Sequence, residues 1–150
     1  MKTRVPPPIV ATLFALAMWL LDRMIPAGQL TLPGSVMISL ILIGLGLVVM
    51  TMALGRFRKV GTTVNPLDPS LASSLVSSGI FGRSRNPMYL GMLIFLTAWA
   101  LWLGNLVNIA MLYLFYSFMT RFQIRPEEEA LTQLFGGEYT EYCNRVRRWF

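Results

Sequence analysis

The chain alternates long apolar runs with short polar segments, and the lengths of the runs predict membrane-spanning helices. Residues 35–54 carry no charge over twenty positions, enough at about 1.5 Å of rise per residue to cross a hydrocarbon core of roughly 30 Å. Residues 9–25 form another such run, which follows the prolines at 6–8 and ends near Asp22 and Arg23, whose charges can reach the headgroups. A cleaved signal peptide is the alternative for this first run, but no clear small-residue cleavage site follows it.

Two shorter apolar runs follow, at 88–103 and about 106–121, and only Gly104 and Asn105 separate them. So short a link between two apolar segments predicts a tight helical hairpin. Each arm is somewhat short for a full crossing, so we expect it to be tilted, shielded by neighbouring helices or extended at its cytoplasmic end. The whole pattern predicts an all-α polytopic membrane protein with four transmembrane helices and further helices at its carboxyl terminus.

Polar residues are gathered in two inserts, at 55–87 and 122–150, and the sequence shows neither an internal repeat nor a second domain. We therefore treat the chain as a single integral membrane domain. In the second insert, Pro126 suits the first turn of a helix, and three glutamates follow it at 127–129. The glycine pair 136–137 is expected to end or kink that helix, and another amphipathic helix follows.

The basic residues predict the orientation, because lysine and arginine concentrate in loops that stay in the cytoplasm. With both termini inside, 12 of the 13 basic residues face the cytoplasm and Arg23 alone faces out. The cytoplasmic set is Lys2, Arg4, Arg56, Arg58, Lys59, Arg83, Arg85, Arg121, Arg125, Arg145, Arg147 and Arg148. Both polar inserts then lie on one side of the bilayer, which we take to be a bacterial inner membrane, and any active site is expected there.

Composition narrows the chemistry that is possible. The chain is 55% hydrophobic with a mean hydropathy of +0.57, and its net charge of +6 is explained by its orientation and by anionic lipids. We therefore expect membrane lipids around it and no nucleic acid. The absence of histidine and the single cysteine, Cys143, exclude an internal disulfide and remove the usual zinc ligands and the commonest general base. No metal site is expected, and the sequence leaves the oligomeric state open.

The stretch RSRNPMYLG at 83–91 places polar groups at the start of an apolar run. Proline keeps its predecessor extended and is tolerated in a first helical turn, so Asn86 and Pro87 predict a sharp helix start. Tyr89 then offers an aromatic face with a hydroxyl, and Gly91 permits close approach. Such a group suits a flat heteroaromatic ligand with a polar tail, whose ammonium, sulfonium or ribose hydroxyls a nearby carboxylate pair could bind.

The charged clusters also have purely structural interpretations. Acids in a first helical turn stabilise the helix by about 0.3 to 1 kcal/mol each through its dipole. Arginines at the ends of membrane helices are typical of snorkelling side chains that fix topology. Their combination on one side of the membrane is what favours a binding site.

Two motifs, GIFGRSRNPMYLGM and, after the hairpin, EEEALTQLFGGEYTEYCNRV, closely resemble a family of integral membrane methyltransferases. This family includes isoprenylcysteine carboxyl methyltransferase and the bacterial phospholipid methyltransferases. Its pattern joins an Arg-His-Pro-x-Tyr-x-Gly element to a Glu-Glu-x-x-Leu-x-x-x-Phe-Gly-x-x-Tyr-x-x-Tyr element. The similarity covers about 62–150, and the ordered pair across a hairpin is more specific than either element alone.

The resemblance implies that S-adenosylmethionine is the cofactor. By position, it implies a cofactor-binding set of Ser73, Ser74, Leu75, Val76, Phe81, Arg85, Asn86, Pro87, Met88, Tyr89 and Glu127. It also implies a catalytic role for Glu128 and a role for Arg121 or Arg125 in holding the acceptor. Asn86 stands where the family has histidine and cannot become cationic or act as a base. Gln123 stands where the carboxyl methyltransferase has the arginine that holds its substrate.

The resemblance therefore implies transfer of a methyl group from S-adenosylmethionine to a lipophilic or small acceptor. An isoprenylcysteine-like carboxylate, a phospholipid amine and a thiol all remain open. A carboxylate or thiolate acceptor needs no base, whereas an amine or hydroxyl acceptor would use Glu128 or Tyr89. The alternatives are a noncatalytic membrane protein that retains the pocket and a protein that binds NADPH in the manner of the sterol reductases.

Overall fold

The structure, a computed structural model, describes residues 5–30, 32–61 and 74–150, and these ranges are helical without any β-strand. This confirms the all-α prediction. The α-helices are α1 Pro7–Met24, α2 Ser35–Val60, α3 Pro87–Leu103, α4 Val107–Met119, α5 Arg125–Phe135 and α6 Gly137–Arg145, with 3-10 turns at Pro26–Gly28 and Gly79–Gly82 and a π-helical turn at Thr120–Ile124.

Two helices of the described ranges are long and apolar enough to cross a membrane. They are Pro7–Met24, with 18 residues and a mean hydropathy of 1.3, and Ser35–Lys59, with 25 residues and a mean hydropathy of 2.6. The apolar helix Pro87–Leu103 is shorter. A membrane protein of helices is thus supported, and the count of four spans stays a prediction.

Helix α2 is longer than its uncharged run indicated. It continues through Arg56, Arg58 and Lys59 to Val60. It ends at Gly61, which adopts a left-handed conformation with φ of +71°. Arginine and lysine are good helix formers and interact favourably with the negative end of a helix dipole. The helix therefore includes the first residues of the polar insert 55–87, and it ends near residue 61 and not at residue 55.

Helix α3 is the centre of the bundle and packs against α1, α2 and α4. Its contact with α2 depends on glycines, because a Cβ added at Gly91 would lie 2.5 Å from Cγ of Met50 and 3.4 Å from the carbonyl oxygen of Gly46. A Cβ at Gly46 would lie 2.7 Å from Cε1 of Phe95. Gly46 thus allows α2 and α3 of the same chain to pack closely.

The contact between α1 and α4 is built from apolar side chains. Phe14 of α1 meets Phe115 of α4 edge to face, with ring centroids 5.3 Å apart, and Met18 and Met119 are fully buried beside them. On the α3 side, the indole of Trp99 donates a hydrogen bond to the Ala15 carbonyl at 3.0 Å. These contacts hold α1, α3 and α4 together around one apolar core.

A tight hairpin joins α3 to α4, as predicted, at what we call the hairpin end of the bundle. Gly104 adopts a φ of +66° there. Asn105 donates to the Ile25 carbonyl at 2.9 Å and to Oδ1 of Asp22 at 3.3 Å, and its own Oδ1 accepts from the backbone N–H of Val107 at 3.1 Å. Asn105 thereby ties the hairpin to the end of α1.

Pro126 lies in the first turn of α5, as predicted, and the structure adds that this helix is continuous with α4. The chain stays helical from α4 through Thr120–Ile124 into α5. A proline within a helix clashes with the carbonyl four residues earlier and lacks its own N–H. The wider π-helical turn, in which the Arg125 N–H reaches the Thr120 carbonyl, accommodates Pro126 without ending the helix.

Candidate functional site

Three polar segments meet at the end of the bundle opposite the hairpin, which we call the site end. They are the loop 74–86, helix α5 and the carboxyl-terminal residues 146–150. The Arg85 N–H donates to the Arg147 carbonyl at 3.0 Å, and the Tyr142 hydroxyl donates to the Phe81 carbonyl at 2.7 Å. The contact that the sequence predicted between the two polar inserts is therefore present in the described residues.

The start of α3 is held in the conformation that its sequence predicts. Asn86 is not helical, with φ of −129° and ψ of 54°, and Pro87 opens the helix in a buried position. The backbone N–H of Asn86 donates to Oγ of the buried Ser84 at 3.2 Å, and its side-chain Nδ2 donates to the Arg148 carbonyl at 2.9 Å. With Nδ2 engaged in this way, Oδ1 of Asn86 is the atom that can accept a hydrogen bond from a ligand.

Tyr89 and Glu127 form the centre of the site. The Tyr89 hydroxyl, in the first turn of α3, donates to Oε1 of Glu127, in the first turn of α5. Burial raises the pKa of Glu127 to about 8, the hydrogen bond from Tyr89 lowers it, and the charge of Glu128 raises it. A carboxyl group whose pKa lies this close to neutrality is typical of a functional site.

Glu128 is held between two arginines. Arg148 donates to its carboxylate through Nε at 3.0 Å and Nη2 at 2.7 Å, a bidentate geometry, and Arg85 donates through Nη2 at 2.9 Å. The Arg85 and Glu128 side chains are only 11% and 16% exposed, and these hydrogen bonds raise the pKa of Arg148. The carboxylate oxygens of Glu128 are thus already engaged, which favours an anchoring role for it.

The other residues of the implied cofactor set lie around this centre. Phe81 and Val76 are buried, and Met88 packs on them. The ring of Phe81 meets Phe57 of α2 edge to face at 5.1 Å. Leu75 packs instead against Tyr139, Tyr142 and Val146. Ser74 is exposed, and Ser73 lies outside the described residues.

The two candidate arginines of the acceptor site are placed differently. Arg125 lines an open cleft of about 500 Å³ together with Glu128, Glu129, Thr132, Gln133 and Arg148. Arg121 is exposed and lies over the ring of Phe122, 5.6 Å from its centroid. The structure therefore brings Arg125 and Glu128 to one cleft, and Arg121 is not among the residues that line it.

Gln123 belongs to the core. Its side chain is 3% exposed, and Nε2 donates to the Val5 carbonyl at 2.7 Å. This contact ties the π-helical turn to the segment that precedes α1.

The structure adds Arg148 and Trp149 to the site, whereas the sequence indicated only that Arg148 is one of the basic residues that predict the orientation. Local sequence carries little signal for such contacts, because many arginines lie at this end of the molecule. Tyr142 belongs to the second motif, and its buried hydroxyl needs a hydrogen-bond partner, so a contact for it could have been expected.

Comparison with known proteins now decides the family. The sequence pattern of the phospholipid methyltransferase family matches residues 35–138. The chain belongs to this family. The family consists of integral membrane methyltransferases, and its matched range contains Tyr89, Glu127 and Glu128 but ends before Arg148.

Two relatives of this phospholipid methyltransferase family member differ in how much they share with it. An uncharacterized protein of Haemophilus influenzae is 45% identical over 62 residues, which are 41% of this chain and 98% of that protein. The Delta(14)-sterol reductase of Mus musculus is 35% identical over 102 residues, which are 60% of this chain. The match covers only 23% of the reductase, so it bears on a shared part and not on the whole mouse enzyme.

Proposed function

We propose that the chain is an integral membrane methyltransferase that uses S-adenosylmethionine and methylates a lipophilic or small acceptor. The observation that carries this proposal is the pair of Tyr89 and Glu127, which joins the first turns of α3 and α5 at the site end. Membership of a membrane methyltransferase family supports it. We further propose that the site end faces the cytoplasm of a bacterial cell, as the distribution of basic residues predicts.

The residues present fit such a cofactor. Within the described ranges, the half-buried carboxylate of Glu127 has no cationic side chain in ion-pair contact, and an anion of this kind favours a cationic ligand group. The buried Nε of Arg85 has no hydrogen-bond partner there either, so it can donate to a ligand oxygen. The anion on Glu127 and the free donor on Arg85, which binds the adjacent Glu128, suit the ammonium and carboxylate of an amino-acid moiety.

When bound, S-adenosylmethionine supplies a methyl group that is already electrophilic because a sulfonium carries it. The chain then has to hold donor and acceptor in line, and positioning alone can lower a barrier by about 7 to 11 kcal/mol. We assign Glu127 and Arg85 to the charged end of the cofactor. Oδ1 of Asn86 is assigned to accept hydrogen bonds from donor groups of the cofactor.

The acceptor is assigned to the neighbouring cleft. Arg125 can hold an anionic part of the acceptor there, and an apolar part can enter sideways between the membrane helices. An amine or hydroxyl acceptor would need a base, and Glu128 is disfavoured in that role because its oxygens already accept from Arg85 and Arg148. A carboxylate or a thiolate would lose no proton.

The test compares Glu127→Gln with Glu138→Gln, an exposed glutamate of α6. Each purified variant is titrated with S-adenosylmethionine by calorimetry and incubated with labelled methyl donor and a total lipid extract. We expect Glu127→Gln to weaken cofactor binding at least about a hundredfold, since a charged hydrogen-bond partner is lost, and Glu138→Gln to behave as the parent protein. Equal affinity in a folded Glu127→Gln variant would contradict the site, and the labelled lipid identifies the acceptor.

The second candidate is a protein that binds NADPH, because this chain and the mouse sterol reductase are 35% identical over 102 residues. The same titration distinguishes the two. Binding of NADPH without binding of S-adenosylmethionine would replace the methyltransferase proposal, and binding of neither would favour a noncatalytic protein.

A further inference from the structure

The last residues of the chain form a strap across the site end. We define the strap as residues 146–150, which follow α6 and lie beyond the range that the family pattern matches. Its backbone accepts hydrogen bonds from the loop before α3: Arg147 accepts from the Arg85 N–H at 3.0 Å, and Arg148 accepts from Nδ2 of Asn86 at 2.9 Å. The strap therefore touches the residues that open α3.

A second anchor holds the strap to α4. The indole of the buried Trp149 donates to Oγ1 of Thr120 at 3.0 Å, and its ring packs against Tyr116 with centroids 4.9 Å apart. Thr120 begins the π-helical turn that leads into α5. The strap is thus fixed on both sides of Arg148, and it connects α3 with the helix that carries Glu127.

We propose that Arg148 is a positioning residue of the cofactor site, acting through Glu128 and Asn86. This inference rests on the proposed function. The guanidinium binds Glu128 with two parallel hydrogen bonds, while Arg85 binds the same carboxylate. Bidentate pairs of this kind fix orientation as well as distance.

The position of Glu128 matters because Glu127 precedes it on the same helical turn. Successive residues of an α-helix differ in direction by about 100°, so a fixed Glu128 sets the rotation of α5 and with it the direction of Glu127. The Tyr89 hydroxyl, at the start of α3, is the group that Glu127 must meet.

The backbone carbonyl of Arg148 acts on Asn86. It accepts from Nδ2, which leaves Oδ1 as the acceptor that a ligand can use. One residue of the strap therefore orients two residues that the proposed function places on the cofactor, one through its side chain and the other through its backbone.

Arg147 provides a matched control in the same strap. Its side chain is exposed and forms no ion pair among the described residues, whereas its backbone carbonyl accepts from Arg85. Replacing its side chain removes an equal charge from the strap and leaves the backbone contact in place. Any difference between the two positions then reports on the bond to Glu128 and not on overall charge.

The experiment compares Arg148→Gln, Arg148→Lys and Arg147→Gln in the full-length protein. For each variant we measure thermal unfolding, the Kd for S-adenosylmethionine by calorimetry, and the KM for the cofactor and kcat with the acceptor found in the lipid extract. We expect Arg148→Gln to raise Kd and KM at least about tenfold while kcat at saturation changes less than about threefold. Arg148→Lys keeps the charge but loses the planar guanidinium group, so its Kd and KM should lie between those of the parent and of Arg148→Gln. The Kd and KM of Arg147→Gln should stay within about twofold of the parent values.

The outcomes separate this inference from the proposed function. If the parent protein binds no S-adenosylmethionine, both are overturned. If the parent binds it and folded Arg148→Gln binds as tightly as Arg147→Gln, only the role of Arg148 is overturned. Should Arg148→Gln not fold, Arg148→Lys decides, and an unchanged Kd and KM in that variant overturns the inference.

Discussion

The Tyr89 hydroxyl donates a hydrogen bond to the Glu127 carboxylate, although 38 positions of the chain separate the two residues. The bond connects the start of α3 with the start of α5, across the whole helical hairpin. Because desolvation raises the pKa of Glu127 to about 8, a small change in its surroundings alters its charge at neutral pH. The affinity of the site for a cation should therefore depend on Tyr89 and on pH.

Removal of the Tyr89 hydroxyl should weaken cofactor binding. The hydrogen bond lowers the pKa of Glu127, so Tyr89→Phe raises that pKa and leaves less carboxylate near neutrality. We expect the Kd for S-adenosylmethionine to rise about tenfold or more near pH 7 and the loss to shrink above about pH 9. Calorimetry at both pH values measures this change in Kd. The control is Tyr113→Phe, because Tyr113 is an exposed tyrosine of α4. An equal loss at both pH values would show that the hydroxyl acts by direct contact alone.

Cofactor binding should strengthen as the pH rises toward 8. Below its pKa of about 8, Glu127 is mostly protonated in the free protein, and a cationic group binds better to the ionised form. Binding must then release a proton, so Kd should fall by up to about tenfold per pH unit between about pH 6 and pH 8 and level off above. Calorimetry in two buffers of different ionisation enthalpy measures the released proton. A flat profile in this range would mean that Glu127 does not face the cationic group.

The packing of α2 on α3 should depend on one glycine and not on another. Gly91→Leu would force its side chain into Met50 and the backbone of α2, and such overpacking costs about 1 to 3 kcal/mol or more. Gly44→Leu is the matched control, since nothing lies within 4 Å of a Cβ at that position. Thermal unfolding in detergent should show a lower midpoint for Gly91→Leu alone. A comparable loss in Gly44→Leu would indicate that the exposed face of α2 contacts something other than lipid.

The orientation of the chain can be tested with single cysteines. In a Cys143→Ser background, Thr140→Cys places a thiol on the exposed surface of α6, and Pro33→Cys places one before α2 at the hairpin end. With both termini in the cytoplasm, a membrane-impermeant maleimide applied to intact spheroplasts should label Pro33→Cys and spare Thr140→Cys until the membrane is opened. The reverse pattern would place the site end outside the cytoplasm and contradict the proposed cofactor access.

Much of the fold follows from local sequence. The apolar runs predict the positions of α1 to α3 because burial in lipid demands helical backbone with every N–H and C=O satisfied. Gly104 predicts the tight hairpin, since a left-handed φ is inexpensive for glycine. Asn86 and Pro87 predict the helix start for an equally local reason.

The helix junction at Pro126 shows what local reasoning leaves open. Pro126 predicts the first turn of a helix, which the structure confirms for α5, but only the structure shows that α4 continues into α5 through one wide turn. The cost of proline within a helix was absorbed by backbone geometry, supported by the buried Gln123 and its bond to Val5. The continuity of the two helices therefore depends on backbone geometry and tertiary contacts that local propensity does not predict.

By itself, the sequence determined that this is a membrane protein of helices, because hydrophobic run length is a property of neighbouring residues, and its resemblance to a known family placed Tyr89 and Glu127 in one motif pair. Only the tertiary structure decided which of the many arginines hold Glu128 and that the end of the chain lies over the site. An ion pair such as that of Arg148 and Glu128 depends on distance and orientation across 20 positions, and every exposed arginine carries the same charge. Folding selects Arg85 and Arg148 from these equivalent partners, and it places Arg148 through the packing of Trp149 and the helices beneath it.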